Sequence, residues 1–380
     1  MENRIKKIDL WILIPILALI AFSLGVVYSA SSSWSVKLNG DSSYLFRNHL
    51  LRAAFGVVMI FLFSRIDYLN LLKFRKPLML IAVGLLLYLL VAGVETTKGA
   101  ARWIRISSVS FQPADFVKYA LLVNLAYLLW KKKNYIDSLY KAYLPMLSYV
   151  LIVVILIAMQ PNFSTASMVF ISSMMLFFIG KVQLKHMAFT VLSLVPVAAL
   201  FVLSKPYILN RIFSFKEHTS GGDAGYQLSQ AIIGFGSGSW FGVGPGNSNQ
   251  KEFFLPQSYD DFVFSIVGEE YGFIGVTLVI VLFGIFIIRG LKLSKVIDED
   301  FGKYLAFGIT TLIGMNAAIN MMVSTGLIPT TGQTLPFISY GGTSIVFNSI
   351  AVGILLNIST YRLNPKGSVW KDHINREEDD

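Results

Sequence analysis

The sequence predicts an all-α, polytopic membrane protein with about ten transmembrane helices. Three observations predict it. Of 380 residues, 54% are hydrophobic and only 14% are charged, against about 25% charged in an ordinary soluble domain. The apolar residues run in long blocks, as spanning helices require. The lysines and arginines recur in every second gap between those blocks.

The first block, about 10–30, has no clear small-residue cleavage site after it and reads as a retained span, not a signal peptide. Further spans fall at about 48–64, 77–94, 115–130, 144–159, 164–180, 186–204, 262–288, 304–325 and 341–361. With the N-terminus inside, the inner segments hold Arg4, Lys6 and Lys7; Arg65, Lys73, Arg75 and Lys76; Lys131, Lys132, Lys133 and Lys141; Lys181 and Lys185; Arg289, Lys292, Lys295 and Lys303; and Arg362, Lys366, Lys371 and Arg376. That asymmetry places both termini in the cytoplasm. The chain reads as one membrane domain, 1–380, with short tails at 1–9 and 362–380 that leave no room for a soluble catalytic domain.

Composition removes several function classes. There is no cysteine, so a disulfide framework and a Cys-based metal site are both excluded. The net charge of +10 lies beside apolar blocks and not on a soluble basic face, which argues against nucleic acid as a partner.

Three segments on the outer side carry the unusual material, about 95–114, 205–261 and 326–340. The longest contains Tyr226, Leu228, Ile232, Ile233, Phe235, Trp240, Phe253 and Phe254. Such a segment can pack on itself or on the bilayer surface, so short interfacial helices are expected, for example over 225–236.

Ionisable groups near membrane depth are costly and read first as functional. Arg102, Arg105, Asp115 and Lys118 flank the fourth span. Asp115 and Lys118, spaced i, i+3, can pair on one helix face, which fits a structural ion pair as well as a site. Asp260, Asp261, Glu269 and Glu270 open the eighth span. One aspartate could simply cap the helix. Glu269 lies roughly 12 Å deeper at 1.5 Å per residue, and two adjacent carboxylates there need partners or water. The glycine-rich stretches 242–251 and 328–344 allow tight turns or close approach of backbone to a ligand. Cations and carboxylates gathered on one side suit an amphiphilic substrate with an anionic head. A transporter more often places its charges near the midplane.

Seven segments carry a family resemblance: GAARWI at 99–104, QPADFVKYA at 112–120, QPNFSTA at 160–166, YQLSQA at 226–231, GVGPGNSNQK at 242–251, LPQSYDDFVFSIVGEEYGFIG at 255–275 and PFISYGGTS at 336–344. In this order the chain resembles the SEDS family of bacterial membrane glycosyltransferases over about 10–362. GNSNQK and TGQTLPFISYGGTS are more similar to its FtsW, cell-division branch than to its RodA, elongation branch. The resemblance implies polymerisation of lipid II into glycan strands at the outer face of the bacterial cytoplasmic membrane, at the division septum. Alternatives are an elongation-type polymerase, a lipid II flippase or a structural recruiter.

Asp261 matches the family's catalytic aspartate, although Tyr259 and Asp260 stand where the family has His and Thr. The resemblance makes Asp261 the base on the acceptor hydroxyl and assigns Arg102 and Lys118 to the diphosphate. Asp115, Glu269, Glu270, Gln112, Tyr340 and Gly341 are further expected substrate contacts. Glu269 is expected to hold Lys118 or to help bind a divalent cation. The loop around 226–254 is expected to cradle substrate. Lys118→Met is expected to abolish turnover with the fold intact. The implied cofactor is Mg²⁺ or Mn²⁺ at residues the sequence does not identify, with no organic cofactor. The implied partners are a class B penicillin-binding protein that crosslinks the strands and other division proteins.

Overall fold

The computed structural model describes residues 8–92, 102–106, 109–217, 223–256 and 258–361. Both tails lie largely outside the described residues, as do Gly99, Ala100 and Ala101 of the GAARWI motif. The long helices are α1 (Leu10–Asn39), α2 (Tyr44–Arg65), α3 (Asn70–Val91), α4 (Pro113–Lys131), α5 (Leu144–Met159), α6 (Phe163–Ile179), α7 (Leu184–Leu203), α10 (Val263–Val296), α11 (Asp300–Ser324) and α12 (Ser344–Tyr361). Each occupies one of the ten expected span positions. Among the described residues, eight segments are long and apolar enough to cross a membrane by length and composition, and α6 is a shorter apolar helix. α4 carries Asp115, Lys118 and Lys131 and is buried on nearly every side. Shielded from lipid by α3, α5, α6, α11 and α12, it can hold charges that a lipid-facing helix could not. α7 is the opposite case, with Thr190 its one fully buried residue.

The seventh and eighth spans are joined by α8 (Pro206–Glu217) and α9 (Asp223–Gly238). α9 fulfils the expected helix over 225–236. Its Leu228 and Ala231 are buried, while Tyr226, Ile233 and the following Trp240 are exposed. α8 was not legible in the sequence. Nor was the hairpin of β1 (Ile104–Ile106) and β2 (Val109–Phe111), antiparallel with Arg105 opposite Ser110, which occupies the segment before α4.

α10 is longer than the expected span and is broken at Gly272, where φ is +61° and ψ −159°. A break in a spanning helix frees backbone groups that the bilayer cannot satisfy. The loop after α9 satisfies them. Val243 N–H donates to Glu269 C=O (2.9 Å), Gly244 N–H to Glu270 C=O (3.1 Å), and Phe273 N–H to Ser239 C=O (2.9 Å). A side chain at Gly272 would meet the Trp240 and Gly242 backbone, so glycine is required both for its torsion and for this approach.

The two ends of the bundle differ. One end carries Arg65, Lys73, Arg75, Lys76, Lys131 to Lys133, Lys181, Arg289 and Lys295, and it is closed by polar ties between helix ends. Arg289 pairs with Asp9 at 2.7 Å. Asn357 accepts from Tyr68 N–H (3.0 Å) and donates to Ser64 C=O (2.9 Å). Tyr361 donates to Asp67 (2.6 Å), and Tyr68 donates to Glu299. Glu299, in the α10–α11 turn, is pushed up to about 7 by burial, aided by Asp300 and opposed by bonds from Tyr68 and the Gly302 and Phe301 amides.

A carboxyl raised from 4.5 to about 7 binds its proton more tightly folded than unfolded. Its contribution to stability is therefore complete below the unfolded value and lost as pH rises through about 7. Thermal unfolding in detergent should give a midpoint that falls as pH rises from 4.5 to about 7 and levels off above it, and Glu299→Gln should flatten that slope. An unchanged slope would remove Glu299 as its source.

Candidate active site

At the opposite end, four segments converge: the turn before α10, the 326–343 segment, the start of α4 with its hairpin, and α8. Phe262, not an aspartate, stands at the N-cap of α10 and makes no side-chain cap bond. The backbone of 259–261 is instead pinned from outside. Tyr340 N–H donates to Tyr259 C=O (2.9 Å), Ser339 Oγ to Asp260 C=O (2.7 Å) and Asn320 Nδ2 to Asp261 C=O (2.8 Å).

This pinning holds two carboxyl groups side by side. Burial pushes Asp260 well above the usual carboxylate range, the Asp261 charge adds to this, and Arg52 on α2 opposes it. Asp260 Oδ1 is buried without a hydrogen-bond partner. Two like charges buried together oppose one another, and at Asp260 burial and the Asp261 charge both favour the protonated form. Tyr259 is also pushed up, to about 12, by burial and then by Asp260, Tyr340 and Asp261. The Tyr340 ring packs edge-on against Tyr259 at 5.6 Å, with the Arg52 guanidinium 4.9 Å from its centroid.

Arg102, just before the hairpin, donates to the Pro161 carbonyl, and its buried Nε has no hydrogen-bond partner. Burial lowers its pKa, as does Arg211, while Tyr207 and Asp261 raise it. The Asp261 charge thus reaches Arg102. Arg102, Arg211 and Tyr207 line a cavity of about 280 Å³ whose other walls include Met168, Ile171, Val202 and Ile319. Cations at one part of an apolar cavity suit a lipid that carries an anionic head.

Asp115 and Lys118 do pair, at 2.8 Å and almost fully buried. Thr343 Oγ1 reaches Asp115 at 3.4 Å and accepts from Gln112 N–H at 3.1 Å. Gly341 is buried in the turn that leads to Thr343, its N–H donating to Ser339 C=O at 2.6 Å. At Gly342, an added Cβ would lie 3.2 Å from Ser110 C=O, so this turn closes directly on the hairpin.

The structure separates the glutamates from this group. Glu269 accepts from Ser248 Oγ, from Asn249 N–H (2.9 Å) and from Gln250 N–H (3.3 Å). Glu270 accepts from Ser29 Oγ on α1 and from Ser248 N–H (3.4 Å). Glu269 therefore does not hold Lys118, whose carboxylate partner is Asp115. The reason is the break at Gly272, which brings residues 243–250 onto this stretch of α10. The carboxylates anchor that loop. The Arg105 side chain lies outside the described residues. Arg52, Arg211 and Asn320 were missed. Arg52 was hidden within an apolar block and Arg211 in a loop with no register, and Asn320 gave no signal beyond a polar residue inside a span.

The buried pair revises the expectation for Lys118→Met. That change leaves the Asp115 carboxylate without its cation, which costs about 3–5 kcal/mol. The variant should unfold at clearly lower temperature than wild type, and Asp115→Asn combined with Lys118→Met should recover most of the loss. A single variant as stable as the double would contradict this.

Comparison with known proteins agrees with the architecture. The family model described as "Cell cycle protein", covering FtsW, RodA and SpoVE, matches residues 10–364. A Geobacter sulfurreducens relative named "Probable peptidoglycan glycosyltransferase FtsW" is 37% identical over 361 residues, 94% of this chain and 96% of its own length. "Stage V sporulation protein E" of Bacillus subtilis is 36% identical over 367 residues, 95% of this chain and 99% of its own. Among solved structures, Thermus thermophilus rod shape determining protein RodA aligns with a TM-score of 0.67 at 22% identity, over 95% of this chain and 99% of that one. A chain described under "Structural coordination of polymerization and crosslinking by a peptidoglycan synthase complex" aligns with a TM-score of 0.76 at 24% identity, over 94% of this chain and 99% of that one. These two likenesses concern the fold, while the sequence matches span nearly the whole chain: it belongs to the FtsW/RodA/SpoVE family of cell cycle proteins.

Proposed function

We propose that the chain is a peptidoglycan glycosyltransferase that polymerises lipid II into glycan strands during septal wall synthesis. The single observation that carries this reading is the adjacent Asp260–Asp261 pair, with Asp260 pushed up by burial and Asp261 electrostatically linked to Arg102 in the wall of an amphiphilic cavity. The names of the sequence relatives support the reaction class and favour the division role. The basic residues at the other end of the bundle support placing that end in the cytoplasm and the site at the outer face. A solved neighbour drawn from a complex of polymerisation and crosslinking supports a class B penicillin-binding protein as partner in the same membrane. Other division proteins belong to the same expectation.

In the reaction, Asp261 takes the proton of the acceptor sugar hydroxyl. The hydroxyl oxygen forms a bond to the donor's anomeric carbon, and the bond from that carbon to the diphosphate oxygen breaks. Direct displacement inverts the centre, turning an α-linked donor into a β-linked strand. The leaving diphosphate gains negative charge, which Arg102 and Arg211 are placed to stabilise. Lys118, buried against Asp115, holds the charge balance beneath the site and contributes to the diphosphate through its field. Among the described residues no group of three or more acidic or histidine side chains is arranged to hold a metal. The donor set does not fit an all-protein cage, so a Mg²⁺ or Mn²⁺ ion would take most ligands from phosphate and water.

The test is polymerisation of labelled lipid II by the purified full-length protein with its crosslinking partner supplied. Asp261→Asn should lose about 10²–10⁴ in rate. Asp260→Asn, which mimics the protonated group, should stay within about tenfold of wild type, a difference of about 1.4 kcal/mol. Equal losses at both positions would contradict the division of roles, and a wild type that makes no polymer would contradict the function.

A further inference from the structure

We propose that Asn320 is the positioning residue of this site, fixing the Asp261 segment to the rigid helix α11. Its carboxamide is buried, with the residue 1% exposed. Both hydrogens of its Nδ2 are used, one on Asp261 C=O (2.8 Å) and one on Gln333 C=O (2.7 Å). Its Oδ1 is buried with no hydrogen-bond partner. Leaving a buried acceptor unpaired carries a penalty, so the residue is suited to this place by its two donors and not by its oxygen.

The position of those donors gives them their meaning. Three successive carbonyls, of Tyr259, Asp260 and Asp261, are each held by a different group. Tyr340 and Ser339 hold the first two, and both belong to the 326–343 segment, itself a loop. Asn320 alone of the three donors comes from a helix. Two loops bonded to each other can move together, whereas one amide bridging both to α11 removes that freedom. The bridge continues from Gln333 Nε2 to Thr165 Oγ1 (2.9 Å) and from there to Asn162 Oδ1 (2.7 Å). Asn162 follows Pro161, whose carbonyl accepts from Arg102 and from Tyr207 (3.1 Å). One amide thus ties the carboxylate segment to the helix end that holds the arginine. Displacement of a reacting group by about 1 Å costs about 10²-fold in rate, which is the scale on which such a bridge acts.

The inference rests on the polymerase reading for its kinetic arm only. Asn320→Asp keeps the shape but replaces both donors with an oxygen facing two carbonyls, and Asn320→Leu removes them with similar volume. In full-length protein that unfolds at the wild-type temperature, either change should lower kcat for lipid II polymerisation at least tenfold with KM within twofold. Hydrogen exchange should also rise selectively at 258–262 and 333–340. Unchanged kcat beside an active wild type would overturn the proposal, as would unchanged exchange in either variant. If both variants simply unfold, the role is structural and the proposal likewise fails. An inactive wild type would count against the polymerase reading, and the exchange result would still decide the bridge.

Discussion

The ion pair of Asp115 and Lys118 sets the terms for the rest of the bundle. Two charges removed from water stabilise each other only if their geometry is good and their remaining bonding capacity is filled. Here they lie 2.8 Å apart on the first turns of α4, and Thr343 reaches the carboxylate from the segment that opens α12. A helix carrying that pair cannot face lipid. It must be surrounded, and α3, α5, α6, α11 and α12 surround it. The same requirement draws the hairpin and the 336–344 turn together over its N-terminal end, because Gln112 and Thr343 are bonded there. The buried charge thus locates the loops, and the loops locate the site.

A second constraint acts on α10. Its break at Gly272 strands backbone groups in a region without water, and residues 239–244 supply their partners. Glu269 and Glu270 complete the same repair from their side chains by holding 248–250 and Ser29. The large loop is therefore a packed part of the molecule along this face. Its apolar residues divide accordingly, with Leu228 inside and Trp240 outside. What remains open is the cavity beside Arg102 and Arg211, where the apolar walls meet the charged end.

The span positions were legible because hydrocarbon imposes a length and a composition on each helix, and ten apolar blocks leave little freedom. The i, i+3 pairing of Asp115 and Lys118 was legible for a similarly local reason. Glu269 was misread because its partners come from a loop twenty residues earlier, and a helix break at one glycine is not visible in hydropathy. Arg52 and Asn320 resemble ordinary polar residues within spans until the fold brings Tyr340 and Asp261 to them. The Asp260–Asp261 pair was evident as a motif. The division of labour within it depends on the burial of Asp260 beside the Asp261 charge, against the opposing pull of Arg52, which only the three-dimensional arrangement supplies.

That division is the centre of the account, and infrared spectroscopy reads it directly. In a Glu299→Gln background, which removes the other raised carboxyl, purified protein at neutral pH should show a protonated-carboxyl stretching component that is lost in Asp260→Asn and persists in Asp261→Asn. A band lost in Asp261→Asn instead, or unaffected by either change, would contradict the claim that Asp260 keeps the proton and Asp261 carries the charge.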